Sequence, residues 1–382
     1  MKVAISAVRP FHVTMMANAL LPHADSVSIY SSAPRRFFGK LDDRISTHLV
    51  PSPVEVLGKF VRLPKPVILR GITVWDRLVA AAMPRADLVI GLATQSLATG
   101  RAARRRNARF ALDRACPHVD FQQRLVQEES AKVGALFEAE PAWFRDRQLA
   151  EYETADAILT PSHYTARTFP AALRHKVLVA PLLGRARFPG QIQLARNTPF
   201  TVGVLGGHPL RKGYLYLLEA WKQLGLPNTR LVIRSSSDFT RYPRLAELLK
   251  GLPNVELVDY IPNIAEFYQR CDLFVLPSVD DGFGMALFEA MANGVPSIST
   301  RNCGASELLI NGREGLVIDA RSVDQLAEAI LKPYADEDLR QSIALAGQDA
   351  VTRITASGAY ETVLSQLLNG AAPLHPPVLM AV

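Results

Sequence analysis

Residues 274–296 read FVLPSVDDGFGMALFEAMANGVP, and this stretch decides the fold. The apolar run from Asp272 to Leu276 predicts a strand, and Pro277 to Asp281 a polar turn. Gly282-Phe283-Gly284 follows, then a helical pattern from Met285 to Ala292. Asn293-Gly294 ends that helix, and Val295 to Thr300 reads as the next strand. Strand–loop–helix–strand is the repeating unit of a doubly wound parallel sheet, which binds ligands at the C-terminal ends of its strands. Gly282 and Gly284 let backbone N–H groups approach a ligand closely, and the helix N-terminus behind them suits an anion. Asp281 and Glu289 lie on the loop and the helix, where both can face one ligand. The plainer alternative is an N-cap aspartate with a solvated glutamate. Glu289, however, is flanked by Leu287, Phe288, Ala290 and Met291, so its carboxylate needs a partner or a ligand.

The run resembles the signature of the retaining GT-B glycosyltransferases of glycosyltransferase family 4, E-G-F-G-x-x-x-x-E followed by A-x-x-x-G-x-P. Gly282, Phe283, Gly284, Glu289, Ala290, Gly294 and Pro296 match it, and Asp281 stands where the family usually has Glu. The resemblance implies an α/β GT-B chain, two Rossmann-like doubly wound domains facing a cleft. It also implies transfer of a sugar from a nucleotide diphosphate sugar, UDP- or GDP-linked, with retention and without a metal. Asp281 and the Phe283-Gly284 backbone would then meet the donor sugar, and Glu289 the ribose hydroxyls. No metal-ligand spacing such as C-x-x-C or H-E-x-x-H occurs, in keeping with a chain that needs no metal or other cofactor.

The chain has 382 residues, of which 48% are hydrophobic, enough for two domains with sizeable cores. Three cysteines are too few for a disulfide framework and predict a reducing, cytoplasmic setting. Arg9-Pro10 interrupts the first apolar strand, which argues against a signal peptide, and no run of about 18 apolar residues suggests a transmembrane helix. Charge is uneven. Residues 1–189 hold 27 Lys and Arg against 16 Asp and Glu, a net +11, whereas residues 190–382 carry a net −4. A basic N-terminal half suits an anionic acceptor or the anionic inner face of a membrane, or is an ordinary solvated face. Aromatic residues are not interleaved with the basic ones as a nucleic-acid site requires, so nucleic acid is not expected.

Residues 1–188 read as the first, acceptor-side domain. Its opening strand, Lys2 to Val8, leads into Arg9-Pro10-Phe11-His12 and a helix from Val13. Arg9 and His12 fall at the strand's C-terminal end and are candidates for the acceptor side, with satisfied loop residues as the alternative. Residues 31–75 are Pro-rich and irregular, with basic residues alternating with Phe, Val, Leu and Trp, as in a peripheral membrane contact or an amphipathic surface helix. A helix is expected from Asp76 to Met83. The strand Arg109 to Asp113 ends in Arg114-Ala115-Cys116-Pro117-His118, and a helix is expected from Gln122 to Ala135. By resemblance, His118 is a catalytic-site residue touching the donor sugar, with a plain turn histidine as the alternative.

Residues 189–199 read as a linker, residues 200–355 as the donor domain, and 356–369 as a terminal helix returning to the first domain. After the strand Phe200 to Leu205 comes Gly206-Gly207-His208-Pro209-Leu210-Arg211-Lys212-Gly213. It is similar to the family's diphosphate loop, R-x-x-x-x-K-G. Lys212-Gly213 match, Gly207 stands where the first Arg belongs, and Arg211 is the substitute cation. A departing diphosphate needs fixed cations and N–H donors, which is the physical reason for such a loop. By resemblance, Tyr260-Ile261-Pro262 borders the nucleotide base and residues 303–307 form a turn whose backbone meets phosphate.

The resulting expectation is a retaining glycosyltransferase of cell-surface polysaccharide biosynthesis, acting on a glycan or lipid-linked acceptor. The departures at Asp281 and Gly207 favour one alternative, an inactive nucleotide-sugar-binding partner subunit; a separate alternative is a GT-B epimerase or phosphorylase.

Overall fold

A computed structural model describes residues 1–58, 60–61, 63–183, 198–261 and 263–370. Most of the expected linker, Pro262 and the tail beyond Gly370 lie outside these residues. Thirteen strands form two all-parallel sheets among the described residues. The first holds β1 (Lys2–Ser6), β2 (Ser26–Ser31), β3 (Ser46–Leu49), β4 (Leu88–Leu92), β5 (Arg109–Asp113), β6 (Ala157–Thr160) and β7 (Val177–Val179), in the order β3-β2-β1-β4-β5-β6-β7. The second holds β8 (Phe200–Leu205), β9 (Thr229–Arg234), β10 (Val255–Val258), β11 (Leu273–Leu276), β12 (Ser297–Thr300) and β13 (Leu316–Ile318), in the order β10-β9-β8-β11-β12-β13. The strands at the middle of each sheet are buried because helices cover both faces, as in the apolar run Leu273–Leu276, where every residue is buried.

Each order reverses once, between β1 and β4 and between β8 and β11. At such a point the neighbouring connections leave in opposite directions and open a crevice at the strands' C-terminal ends. In the first crevice, the loop after β4 is fixed from below. Buried Arg147 bridges the buried carboxylates of Asp76 and Glu151. Glu151 accepts the N–H of Thr94 at 2.6 Å and of Ser96 at 2.8 Å.

The helix Lys65–Ala82 starts well before Asp76, and β3 arises within the stretch read as irregular. Pro66 sits in the helix's first turn, where its missing N–H costs nothing. Gly71 lies in its middle because a Cβ there would fall 1.9 Å from Val54 Cγ1. Tertiary packing overrides the weak local helix signal. The helix after β5 runs Val119–Lys132, earlier than expected, since His118 caps it. The helix Ala359–Leu368 packs Tyr360, Val363, Leu364 and Leu367 into the same core as Val13, Met16 and Leu20 of the first domain. Arg109 Nη1 holds its last turn by donating to Leu367 O at 2.8 Å.

Candidate active site

The second crevice is built from two loops, 206–213 after β8 and 277–284 after β11. They meet at glycine: Gly213 has φ +69°, and a Cβ on it would lie 2.0 Å from Pro277 O. Val279 N donates to Arg211 O at 2.8 Å, which locks the loops in register. Two consecutive cations then face two consecutive carboxylates. Lys212 Nζ bonds the Asp281 carboxylate. Arg211 Nε donates to Asp280 Oδ2 at 2.7 Å. Asp280 is buried and also accepts from Gln122 Nε2 at 3.2 Å and Tyr164 OH at 3.4 Å, both from the first domain.

Burial alone would raise the Asp281 carboxyl, but Lys212, then Arg211 and the Phe283 N–H, outweigh it and hold the group below its ordinary value. Arg211 is likewise penalised by burial, and Asp280 beside it more than compensates, so it stays charged. His208, in the same loop, is pushed down to about 4 by burial and by Arg211. The crevice floor therefore carries fixed charges in place before any ligand arrives.

Gly284 caps the helix Met285–Ala292 with φ +86° and sits against Cys303, whose Sγ would be 2.3 Å from a Cβ there. Phe283 is buried against Phe288, ring centroids 5.4 Å apart. Glu289 is half-buried, and its Oε2 accepts from Tyr268 OH at 2.9 Å. Burial raises the Glu289 carboxyl, with Tyr268 pulling it the other way. The apolar surroundings of Glu289 do call for a partner, and Tyr268 is that partner. Ile261 is partly buried against the hydrophobic core, and Gly207 O accepts from Ser237 Oγ at 2.6 Å.

The other singled-out residues lie on the first domain. His12 Nε2 bonds the buried Asp113 carboxylate at the end of β5. Burial works against a charged His12, yet Asp113 outweighs it and the net shift is upward. Arg9 Nε donates to Glu55 Oε1 at 2.8 Å. His118 is 4% exposed, wedged between Tyr152 and Phe169 at centroid distances of 5.0 and 5.3 Å. Its Nδ1 accepts the Asp120 N–H at 3.3 Å, and its Nε2 has no partner among the described residues. Burial, aided by Arg114, Arg145 and Arg124 against Asp120, lowers its pKa to about 4. His118 thus makes no bond with the Lys212–Asp281 pair, although its loop does reach loop 277–284. A Cβ on Gly282 would lie 2.0 Å from Ala115 O, and Gly282 O accepts from Ser162 Oγ at 2.7 Å. The turn at 303–307 also spans the domains: Glu307 accepts from His163 N at 2.8 Å and Arg167 Nη2 at 2.9 Å.

Asp280 and Tyr268 were not singled out by the sequence. Asp280 is adjacent to Asp281 and could have been flagged, whereas Tyr268 lies 21 residues from Glu289 and meets it only through folding.

Residues 190–349 match the family described as Glycosyl transferases group 1. The capsular polysaccharide biosynthesis glycosyltransferase CapM of Staphylococcus aureus is 32% identical over 181 residues, 45% of this chain and 47% of CapM. The match thus spans less than half the length of that relative. Sucrose-phosphate synthase from Thermosynechococcus elongatus superposes with a TM-score of 0.71 at 18% identity, covering 96% of this chain and 98% of that one. HepE from Anabaena, solved with UDP-glucose, gives 0.67 at 15% identity, covering 97% and 100%. The chain as a whole has the GT-B fold of these neighbours, and within it residues 190–349 are similar to the glycosyl transferases group 1.

Proposed function

We propose that the protein is a retaining glycosyltransferase that moves a hexose-type sugar from a UDP- or GDP-sugar to a glycan or lipid-linked acceptor in surface-polysaccharide synthesis. The observation that carries this reading is the pairing of Lys212 and Arg211 with Asp281 and Asp280 at the β8/β11 crevice. When the bond from the sugar's C1 to the diphosphate breaks, negative charge grows on the leaving oxygen. Lys212 and the N-terminus of the helix Met285–Ala292 would stabilise it. Lys212 has three donors, so it can hold Asp281 and a phosphate oxygen together. Asp281, kept ionised, would orient the donor sugar, and Glu289, already aligned by Tyr268, would accept the ribose hydroxyls. Acceptor attack on the face the diphosphate leaves needs no enzymic nucleophile. HepE, a fold neighbour, was solved with UDP-glucose, and CapM is named for capsular polysaccharide biosynthesis, which supports both donor class and pathway type.

A membrane-bound acceptor is favoured by a separate observation. The helix Lys65–Ala82 buries Leu69, Trp75 and Val79, yet leaves Val67, Ile68, Val74 and Leu78 exposed. Phe60 and Val61 just before it are exposed as well, and Lys65, Arg70 and Arg77 lie among them. Apolar residues in water beside cations fit peripheral contact with the anionic inner face of a membrane. Among the described residues, no helix is long and apolar enough to cross a membrane.

The test is a thermal-shift screen of UDP-, GDP- and ADP-sugars, followed by a donor-hydrolysis assay. A preference for one nucleotide, lost in Lys212→Ala, with turnover lost in Glu289→Ala, is expected. Binding without turnover across the panel would instead make the chain an inactive nucleotide-sugar-binding subunit.

A further inference from the structure

A second cavity of about 660 Å³ lies at the seam of the two domains, and its lining includes neither Lys212 nor Asp281. Phe121, which is partly exposed, lines it together with the buried His118, Tyr164 and Phe169. Arg124, Arg167 and Arg174 come to its rim from the first domain and Arg301 from the second. All four arginines are exposed. Their charge is only partly cancelled. Arg167 pairs with Glu307 at 2.9 Å and Arg301 with Asp319 at 3.0 Å. Asp120, the carboxylate in the lining, is taken by Arg145 at 2.6 Å. Among the described residues, Arg174 bonds the carbonyls of Phe169 and Arg167 and no carboxylate. Arg124 has no hydrogen bond or ion pair among the described residues.

A partly exposed aromatic ring, Phe121, among guanidinium groups suits a sugar whose ring packs on it and whose acidic group takes the arginines in bidentate contact. We infer that this cavity binds an anion-bearing sugar unit, carrying a carboxylate or a phosphate, of the acceptor glycan. Naming the ligand an acceptor rests on the glycosyltransferase reading, but the site itself rests on the cavity and its arginines.

Two of its walls touch the donor loop. Tyr164 OH donates to Asp280, the partner of Arg211, and Asn302 O accepts the Asp281 N–H at 2.9 Å. Because both domains supply the rim, a ligand there also favours the arrangement in which the domains touch.

Calorimetry on the full chain tests this with three probes of equal length: an oligogalacturonide, a phosphorylated oligosaccharide and a neutral maltooligosaccharide. At least one anionic probe should bind and the neutral one should not, and the arm that binds identifies carboxylate or phosphate. Arg124→Glu/Arg301→Glu changes two exposed residues and should weaken binding by about tenfold or more, with an unaltered melting temperature. Raising the ionic strength of the wild type should weaken it too. The inference is overturned if no probe binds, if the neutral probe binds equally, or if the double variant binds like wild type. Donor turnover, measured on the same samples, separates the two readings. If the cavity alone is misread, wild type still turns over the nucleotide sugar; if the transferase reading fails, it does not.

Discussion

Lys212 and Asp281 lie 69 residues apart and form an ion pair that fastens the loop after β8 to the loop after β11. The partners are 20% and 15% exposed, so the pair is shielded enough to matter without being sealed from a ligand. Removing Lys212 leaves a shielded carboxylate without its cation. Lys212→Ala should lower the melting temperature and weaken nucleotide binding by roughly 10- to 150-fold, equivalent to about 1.5–3 kcal/mol for a charge-assisted contact. Lys212→Ala/Asp281→Asn should recover the melting temperature but not the affinity. Calorimetric titration beside differential scanning separates the two effects. If the double variant binds nucleotide like wild type, Lys212 is a structural cation only.

Gly282 is where loop 277–284 meets the first domain. Its Cβ position lies 2.0 Å from the backbone of Ala115, which has no rotamer to yield. Gly282→Ala should hold the domains apart, enlarging the radius of gyration in solution scattering and lowering turnover at least tenfold. Each domain's own unfolding should change little. An unchanged scattering profile with full turnover would show that the contact does not govern activity.

Glu289 reads differently in acid. Its carboxyl is raised by burial, and Tyr268 favours the ionised form. If ionised Glu289 holds the ribose, nucleotide affinity falls as pH drops through that raised value. Tyr268→Phe removes the stabilising donor, so the fall should begin at higher pH. Titrations from about pH 5 to 8 give both profiles, and superimposable curves would contradict the assignment.

The two first-domain histidines should respond to pH in opposite senses. His118 sits near 4 in the fold against an ordinary 6.5. Its stabilising share is full above 6.5 and is lost as pH falls toward 4, because the unfolded chain takes up the proton first. His12 is raised above 6.5 by Asp113. Its share is full below 6.5 and is lost as pH rises through the folded value. Melting temperatures against pH for His118→Gln and His12→Gln should lose the acid slope and the neutral slope respectively.

The exposed apolar residues near the helix Lys65–Ala82 predict sedimentation with vesicles containing anionic lipid and not with zwitterionic ones. Phe60→Ser/Val67→Ser should cut the bound fraction several-fold, and raised salt should reduce it further. Equal sedimentation with both lipid types would remove the electrostatic part of the argument.

The sequence by itself determined the unit around Phe283, because strand, glycine turn and helix there follow from neighbours a few residues apart. It also placed Lys212 at a strand end and set Glu289 in apolar company that required a partner. Local patterning could not reveal that Tyr268 answers Glu289, that Arg211 is held by Asp280, or that His12 is held by Asp113, since each pair joins separate elements. It also misjudged where the helix Lys65–Ala82 begins, for Gly71 makes sense only once Val54 is packed against it. The placement of His118 belongs to the same class: its loop is legible, but the rings of Tyr152 and Phe169 that bury it arrive from distant segments. Local chemistry fixed which loops carry charge, and the parallel-sheet topology, by reversing at β8/β11, decided which charges meet.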